Sequence, residues 1–79
     1  MILVLGHLSL GMEEGRVVRW LAGDGDSVRA GDVVCEVETD KAVADVESPA
    51  AGRLRIVAAE GETVPVGGAL AEIDGGGAT

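Results

Sequence analysis

The chain has 79 residues, a formal net charge of −8 and a hydrophobic share of 47%, and Trp20 is its only aromatic residue. An acidic domain of this size is a poor binder of nucleic acid or of an anionic membrane, because both require a basic surface. Its single cysteine, Cys35, excludes an internal disulfide, so we expect a soluble protein of a reducing, cytoplasmic setting.

Short apolar runs separated by glycines predict an all-β domain. Residues 53–60 could form a helix, but this stretch is rich in β-branched residues and is bounded by Gly52 and Gly61. We therefore predict a strand there as well. In chain order, the predicted strands cover residues 2–5, 15–21, 27–28, 33–38, 42–47, 52–58, 63–64 and 69–73.

An internal repeat organises these strands. Gly-Arg-Val at residues 15–17 recurs as Gly-Arg-Leu at 52–54, and Gly-Asp-Ser-Val at 25–28 recurs as Gly-Glu-Thr-Val at 61–64. One strand–turn–strand unit is therefore written twice. Two such copies can bury each other's apolar faces, which predicts two packed sheets with approximate two-fold symmetry.

The two copies differ at their C-terminal ends. The first copy continues through residues 39–42, Thr-Asp-Lys-Ala, whereas the second reaches Asp74 and then a run of glycines. In a two-fold arrangement these two points lie at opposite ends of the domain. We expect residues 1–74 to form the domain and residues 75–79 to begin a flexible Gly/Ala-rich linker.

Lys41 is the only lysine of the chain and lies in the one turn that is not repeated. Tight hairpins favour Asn-Gly or Asp-Gly, so lysine is not a choice made for turn stability. Most lysines simply lie on exposed loops, but a protruding amine can also be acylated by a modifying enzyme. Nearby acids either present a charged face to partners or only keep a strand edge soluble. These acids are Glu36, Glu38, Asp40, Asp45 and Glu47.

Glu-Thr-Asp-Lys-Ala at residues 38–42, set in a doubled β framework, resembles the lipoyl domain of 2-oxo acid dehydrogenase complexes. The resemblance is to the acyltransferase (E2) component and covers essentially residues 2–74. It implies a flattened β-barrel of two four-stranded sheets with quasi-two-fold symmetry. It also implies lipoate joined by an amide to Lys41 at a hairpin tip, with Asp40 and Ala42 as the turn flanks. Further matches include Leu8-Ser9, Met12–Gly15, Trp20-Leu21, Gly31–Val34, Glu47–Pro49 and Gly61–Gly67.

The same resemblance implies a non-catalytic, monomeric carrier domain of an oligomeric acyltransferase. A lipoyl-attaching enzyme would load it, and a thiamine-diphosphate-dependent E1 decarboxylase would reductively acylate the lipoyl group. The acyl group would pass to CoA at the E2 core, and the flavin-dependent dihydrolipoamide dehydrogenase (E3) would reoxidise the dithiol. Its setting would be the bacterial cytoplasm, or the mitochondrial matrix in a eukaryote. No catalytic set or metal-ligand spacing is evident around His7, Ser9 or Ser27.

Three alternatives remain open on the residues. A biotinyl carrier domain shares the fold but usually has methionines beside its lysine, where this chain has Asp40 and Ala42. A glycine-cleavage carrier protein is longer, and an unmodified adaptor of the same fold is a third possibility.

Outside the lysine turn, Gly6 and Leu10 stand where lipoyl domains often have prolines, which leaves the E1 partner and the 2-oxo acid undetermined. His7 is expected to be an ordinary loop histidine, with a partner contact as the alternative. Cys35 and Trp20 are expected to be core or half-buried strand residues.

Overall fold

The computed structural model describes residues 1–6 and 11–75. These ranges contain eight β-strands and no helix. Every predicted strand is present. Six of the eight differ from the prediction at their ends, by one or two residues; the strand predicted over 52–58, for example, stops at Ile56, and the one predicted from 42 begins at Val43. The strands are β1 (Ile2–Val4), β2 (Glu14–Trp20), β3 (Ser27–Val28), β4 (Val33–Glu38), β5 (Val43–Glu47), β6 (Gly52–Ile56), β7 (Thr63–Pro65) and β8 (Ala69–Asp74).

The strands form two four-stranded antiparallel sheets, in the orders β1-β8-β6-β3 and β5-β4-β2-β7. Exchanging β1 with β5, β2 with β6, β3 with β7 and β4 with β8 converts one order into the other. This confirms the predicted two-sheet architecture with quasi-two-fold symmetry. Each copy also places its short strand in the other copy's sheet, since β3 pairs with β6 and β7 pairs with β2. The two copies therefore complete each other's sheets. Over the described ranges, the chain has no helix long and apolar enough to cross a membrane.

The turns of the two copies use the same backbone device. Gly25 and Gly61 have φ of 91° and 88°, in the left-handed region that favours glycine. The Gly25 N–H donates to the Leu54 carbonyl at 2.6 Å, and the Gly61 N–H donates to the Val17 carbonyl at 2.7 Å. Each copy thus anchors its turn on the central strand of the other, which is why the glycines recur in the sequence.

The core lies between the sheets and consists of small aliphatic side chains, as the lack of aromatic residues predicts. Cys35 is fully buried in this core. Trp20 is half-buried and packs against the core, and its indole N–H donates to the Ala58 carbonyl at 2.8 Å. Both expectations for these residues are confirmed. The fully buried aliphatic positions include Leu5, Val17, Val34, Val37, Leu54, Leu70 and Ile73.

The β4–β5 hairpin and the ends of β1 and β8 occupy equivalent places in the two copies. The Ile73 N–H donates to the Met1 carbonyl at 2.7 Å, and the Met1 amino group donates to the Ile73 carbonyl at 3.0 Å. The symmetry operation carries this junction onto the hairpin that contains Lys41. The turn at residues 39–42 and the end of β8 therefore lie at opposite ends of the molecule. Of the expected linker, residues 76–79 lie outside the described residues.

Candidate functional site

The candidate site is the loop between β4 and β5. Glu38, the last residue of β4, pairs with Val43, the first residue of β5, so the loop contains the four residues 39–42. A two-residue hairpin requires positive φ and therefore favours glycine, whereas a four-residue loop is commonly built around an ordinary type I turn. The longer loop removes the expected conflict between a lysine and a tight hairpin.

Hydrogen bonds from Thr39 organise this loop. The Thr39 N–H donates to the Ala42 carbonyl at 2.8 Å, which closes the loop at its base. The Thr39 hydroxyl donates to the same carbonyl at 3.1 Å and accepts from the N–H groups of Lys41 and Ala42, both at 3.2 Å. Such side chain–backbone bonds are a known way for threonine to fix a turn. The backbone that carries Lys41 is thus held from one side by a single residue.

Asp40, Lys41 and Ala42, the three predicted site residues, are consecutive in the chain and all exposed at the tip of the hairpin. The Lys41 ammonium makes no ion pair or hydrogen bond to any residue that the structure describes. A partner on this amine would not have to break a contact within the described part of the domain. The site is therefore an exposed primary amine, without an ion pair to the described residues, on a hydrogen-bonded turn.

The acids near the tip fall into two groups. Glu38 pairs with Arg16 and Glu36 pairs with Arg19, each at 3.0 Å, across neighbouring strands β4 and β2. These pairs compensate the negative charge on the outer face of the sheet. The other acids of the predicted set are exposed and form no ion pair within the described ranges; they are Asp40, Asp45 and Glu47.

The remaining chemistry-bearing residues do not form a second site in the described ranges. No three His, Cys, Asp or Glu side chains lie close enough there to hold a metal ion. Burial raises the pKa of the Cys35 thiol from 9.0 to about 11, which keeps it protonated and unreactive near neutral pH. Ser27 lies on the short strand β3. The expectations for His7, Leu8-Ser9 and Leu10 concern residues outside the described ones.

Sequence reasoning missed the role of Thr39, which it treated only as part of a motif. The available signal was a threonine three residues before the end of a glycine-free turn, a position from which its hydroxyl can bond the backbone. It also missed the cross-strand Arg–Glu pairs, because they depend on the register between β2 and β4. That register shifts between Val17 and Arg19.

Comparison with known proteins gives a consistent result. Residues 3–73 match the biotin/lipoyl family model, described as "Biotin-requiring enzyme". The dihydrolipoyllysine-residue acetyltransferase component of the acetoin cleaving system of Pseudomonas putida is 47% identical over 90% of this chain and 20% of its own length. The corresponding component of the pyruvate dehydrogenase complex of Mycobacterium bovis is 48% identical over 89% of this chain and 13% of its own length. The chain thus spans a fifth or less of these relatives.

A solved structure covers nearly the same extent as this chain. The lipoyl domain of the 2-oxoglutarate dehydrogenase complex from Azotobacter vinelandii superposes with a TM-score of 0.72 and 29% identity. The alignment covers 94% of this chain and 96% of that domain. The family match, the curated relatives and the shared two-sheet fold agree, and this chain therefore belongs to the biotin/lipoyl attachment family, as a lipoyl domain homologous to those of E2 acyltransferases.

Proposed function

We propose that this domain carries lipoate on Lys41 and moves acyl groups and reducing equivalents between the E1, E2 and E3 enzymes of a dehydrogenase complex. The observation that supports this most is the exposed Lys41 amine, which has no partner among the described residues and stands on a hydrogen-bonded turn. The position matches what a covalent carrier needs: access for a large enzyme and a fixed point of attachment.

Amide formation suits this amine. After the ammonium loses a proton to solvent, the nitrogen attacks the acyl carbon of an activated lipoyl donor. The C–N bond forms, the bond to the activating group breaks, and the nitrogen gives up its second proton. The positive charge of Lys41 is lost, and because no described carboxylate pairs with it, no ion pair is broken.

The attached dithiolane supplies the acyl-transfer and two-electron chemistry, and the domain supplies position. The exposed Asp40, Asp45 and Glu47 keep the tip and the β5 edge hydrated and give partner enzymes a negative surface to recognise. Tethering such a domain raises the local concentration of the tip at each active site.

We place the parent chain among oligomeric acyltransferases, with this domain as a monomeric, non-catalytic part. The relatives support this placement, since the matched proteins are named as acetyltransferase components of multienzyme systems. These relatives come from bacteria and from the mitochondria of a plant and a mouse. We therefore propose that the parent protein is located in the bacterial cytoplasm, or in the mitochondrial matrix if its source is a eukaryote. The substrate follows from the E1 partner, because the similar proteins serve acetoin, pyruvate and 2-oxoglutarate systems.

Intact-mass measurement after co-expression with a lipoate–protein ligase tests the attachment. We expect one lipoyl increment on the wild-type domain and none on Lys41→Arg, which keeps the charge and removes the nucleophile. A biotin increment, obtained with a biotin–protein ligase instead, would support the biotinyl alternative that Asp40 and Ala42 argue against. A wild-type domain that stays unmodified with both ligases would favour an adaptor role.

A second variant tests whether the place of the lysine matters. In the double substitution Asp40→Lys and Lys41→Asp, composition and charge are unchanged while the amine moves one residue along the turn. We expect lipoylation to fail, and full modification of this variant would refute the importance of the tip position. Reductive acylation of the lipoylated domain by purified E1 enzymes, with pyruvate, 2-oxoglutarate, branched-chain 2-oxo acids and acetoin, identifies the complex.

A further inference from the structure

Thr39 is the only partly buried residue of the 39–42 loop, whose other three residues are exposed. A hydroxyl group has one hydrogen to donate and two lone pairs to accept with. In Thr39 the hydrogen is used on the Ala42 carbonyl, and both lone pairs are used on the N–H groups of Lys41 and Ala42. All three hydrogen bonds that this hydroxyl can make are therefore made to the backbone of the loop.

Other turns of the molecule combine a glycine of positive φ, at Gly25, Gly31 and Gly61, with one bond from a backbone N–H to a carboxylate. A glycine cannot supply this conformation at Lys41, since the position must carry an amine. In this loop the Thr39 hydroxyl holds the backbone of residues 40–42 through its hydrogen bonds. It thereby also fixes the direction in which the Cα–Cβ bond of Lys41 leaves the turn.

We propose that Thr39 is a positioning residue for lipoyl attachment, acting through the two backbone N–H groups that its hydroxyl holds. The proposal rests on the function proposed for Lys41. When the hydroxyl is absent, the loop samples other conformations, and only a fraction presents the lysine as the ligase requires. The apparent affinity of the ligase for the domain then falls in proportion to that fraction.

Thr39→Val is the direct test, because it keeps the β-branched shape and removes all three hydroxyl bonds. We expect the presented conformation to fall about tenfold in population, equivalent to about 1.4 kcal/mol. The KM of a lipoate–protein ligase for the domain, with lipoate and ATP saturating, should rise about tenfold while kcat is kept. Thr39→Ser retains the hydroxyl and should restore the wild-type KM.

Thr63→Val is the matched control. Thr63 is exposed on β7, and its hydroxyl makes no hydrogen bond to the described residues. Thr63→Val makes the same chemical change elsewhere on the domain, so this variant should have the wild-type KM and kcat. Thermal melts of all three variants establish that each is folded at the assay temperature.

Amide hydrogen exchange gives a readout that needs no ligase. In Thr39→Val the exchange of the Lys41 and Ala42 amides should speed up about tenfold. That of Val37 in the core should not change.

The proposal is overturned if Thr39→Val keeps the wild-type KM, or if Thr39→Ser is as impaired as Thr39→Val, which would implicate packing of the methyl group. A wild-type domain that is never lipoylated would refute the function of Lys41 itself. A modified wild type with unaltered Thr39→Val kinetics would refute only the role of Thr39.

Discussion

Gly15 and Gly52 are equivalent residues of the two copies, and the structure predicts unequal costs for replacing them with alanine. A methyl group at Gly52 would collide with the Asp74 carbonyl oxygen and lie 2.8 Å from its carbon. At Gly15 the methyl group would lie 2.5 Å from a methyl of Val37 and 3.1 Å from the end of Met12. The obstacle at Gly52 is therefore the backbone of a paired strand, whereas the obstacles at Gly15 are side chains.

The difference in obstacle sets the magnitude. Overpacking typically costs about 1 to 3 kcal/mol, and a backbone obstacle belongs at the upper end because β8 can yield only by distorting its pairing with β6. We expect a loss of about 3 kcal/mol in the free energy of unfolding for Gly52→Ala and about 1 to 2 kcal/mol for Gly15→Ala. At roughly 4 to 8 °C per kcal/mol, Gly52→Ala lowers Tm by about 12 to 24 °C.

Urea unfolding and thermal melts measure both variants against Gly6→Ala. Apart from its chain neighbours, no described residue has a heavy atom within 4 Å of a methyl group added at Gly6, so that substitution should change the free energy of unfolding by no more than about 0.5 kcal/mol. The reasoning is refuted if Gly52→Ala is as stable as Gly6→Ala, or if Gly15→Ala is the more damaging of the pair. Because Gly52 lies at the end of the molecule opposite the turn, lipoylation of the folded Gly52→Ala domain should proceed at the wild-type rate.

Two further predictions concern charge and pH. A double-mutant cycle of Arg16→Ala and Glu38→Ala should give a coupling energy of about 0.2 to 1 kcal/mol, which falls as salt is added. Arg55 and Glu72 are 4.0 Å apart and more exposed, so their coupling energy should be close to zero. Equal coupling energies for the two pairs would contradict this prediction. Burial raises the pKa of Cys35 from 9.0 to about 11, so between these values the unfolded thiol loses its proton first and stability falls as pH rises. Urea unfolding from pH 8.5 to 11 should show a steeper decline for the wild type than for Cys35→Ala, and parallel curves would refute the shift.

The repeat explains why much of the fold could be predicted from the sequence. Glycines at fixed places in both copies located the turns, and the short apolar runs between them located the strands. Since two copies of one unit must cover each other's apolar faces, the repeat also predicted two sheets. Strand ends were less certain, as at Ile56 and Val43, because they depend on which backbone groups find partners across the sheet.

The site was predicted in part, for a physical reason. Lys41 stood out by composition and by its place in a unique turn, which a sequence displays directly. The bonds of the Thr39 hydroxyl depend on the length of the loop, and a shift of one residue in the pairing of Glu38 with Val43 would change that length. The charge compensation of Glu38 by Arg16 depends likewise on register, which the repeat alone does not specify.

The duplicated scaffold also accounts for the place of the lysine. A domain made of two symmetric copies has one internal connection between them, and here it is the loop at residues 39–42. Its symmetric equivalent is the meeting point of β1 and β8, where the Met1 amino group donates to the Ile73 carbonyl. The internal connection and the end of β8 at Asp74 therefore occupy opposite ends of the domain. For a tethered carrier this geometry gives the attached group its greatest reach, because the tether and the arm leave from opposite ends of a rigid body.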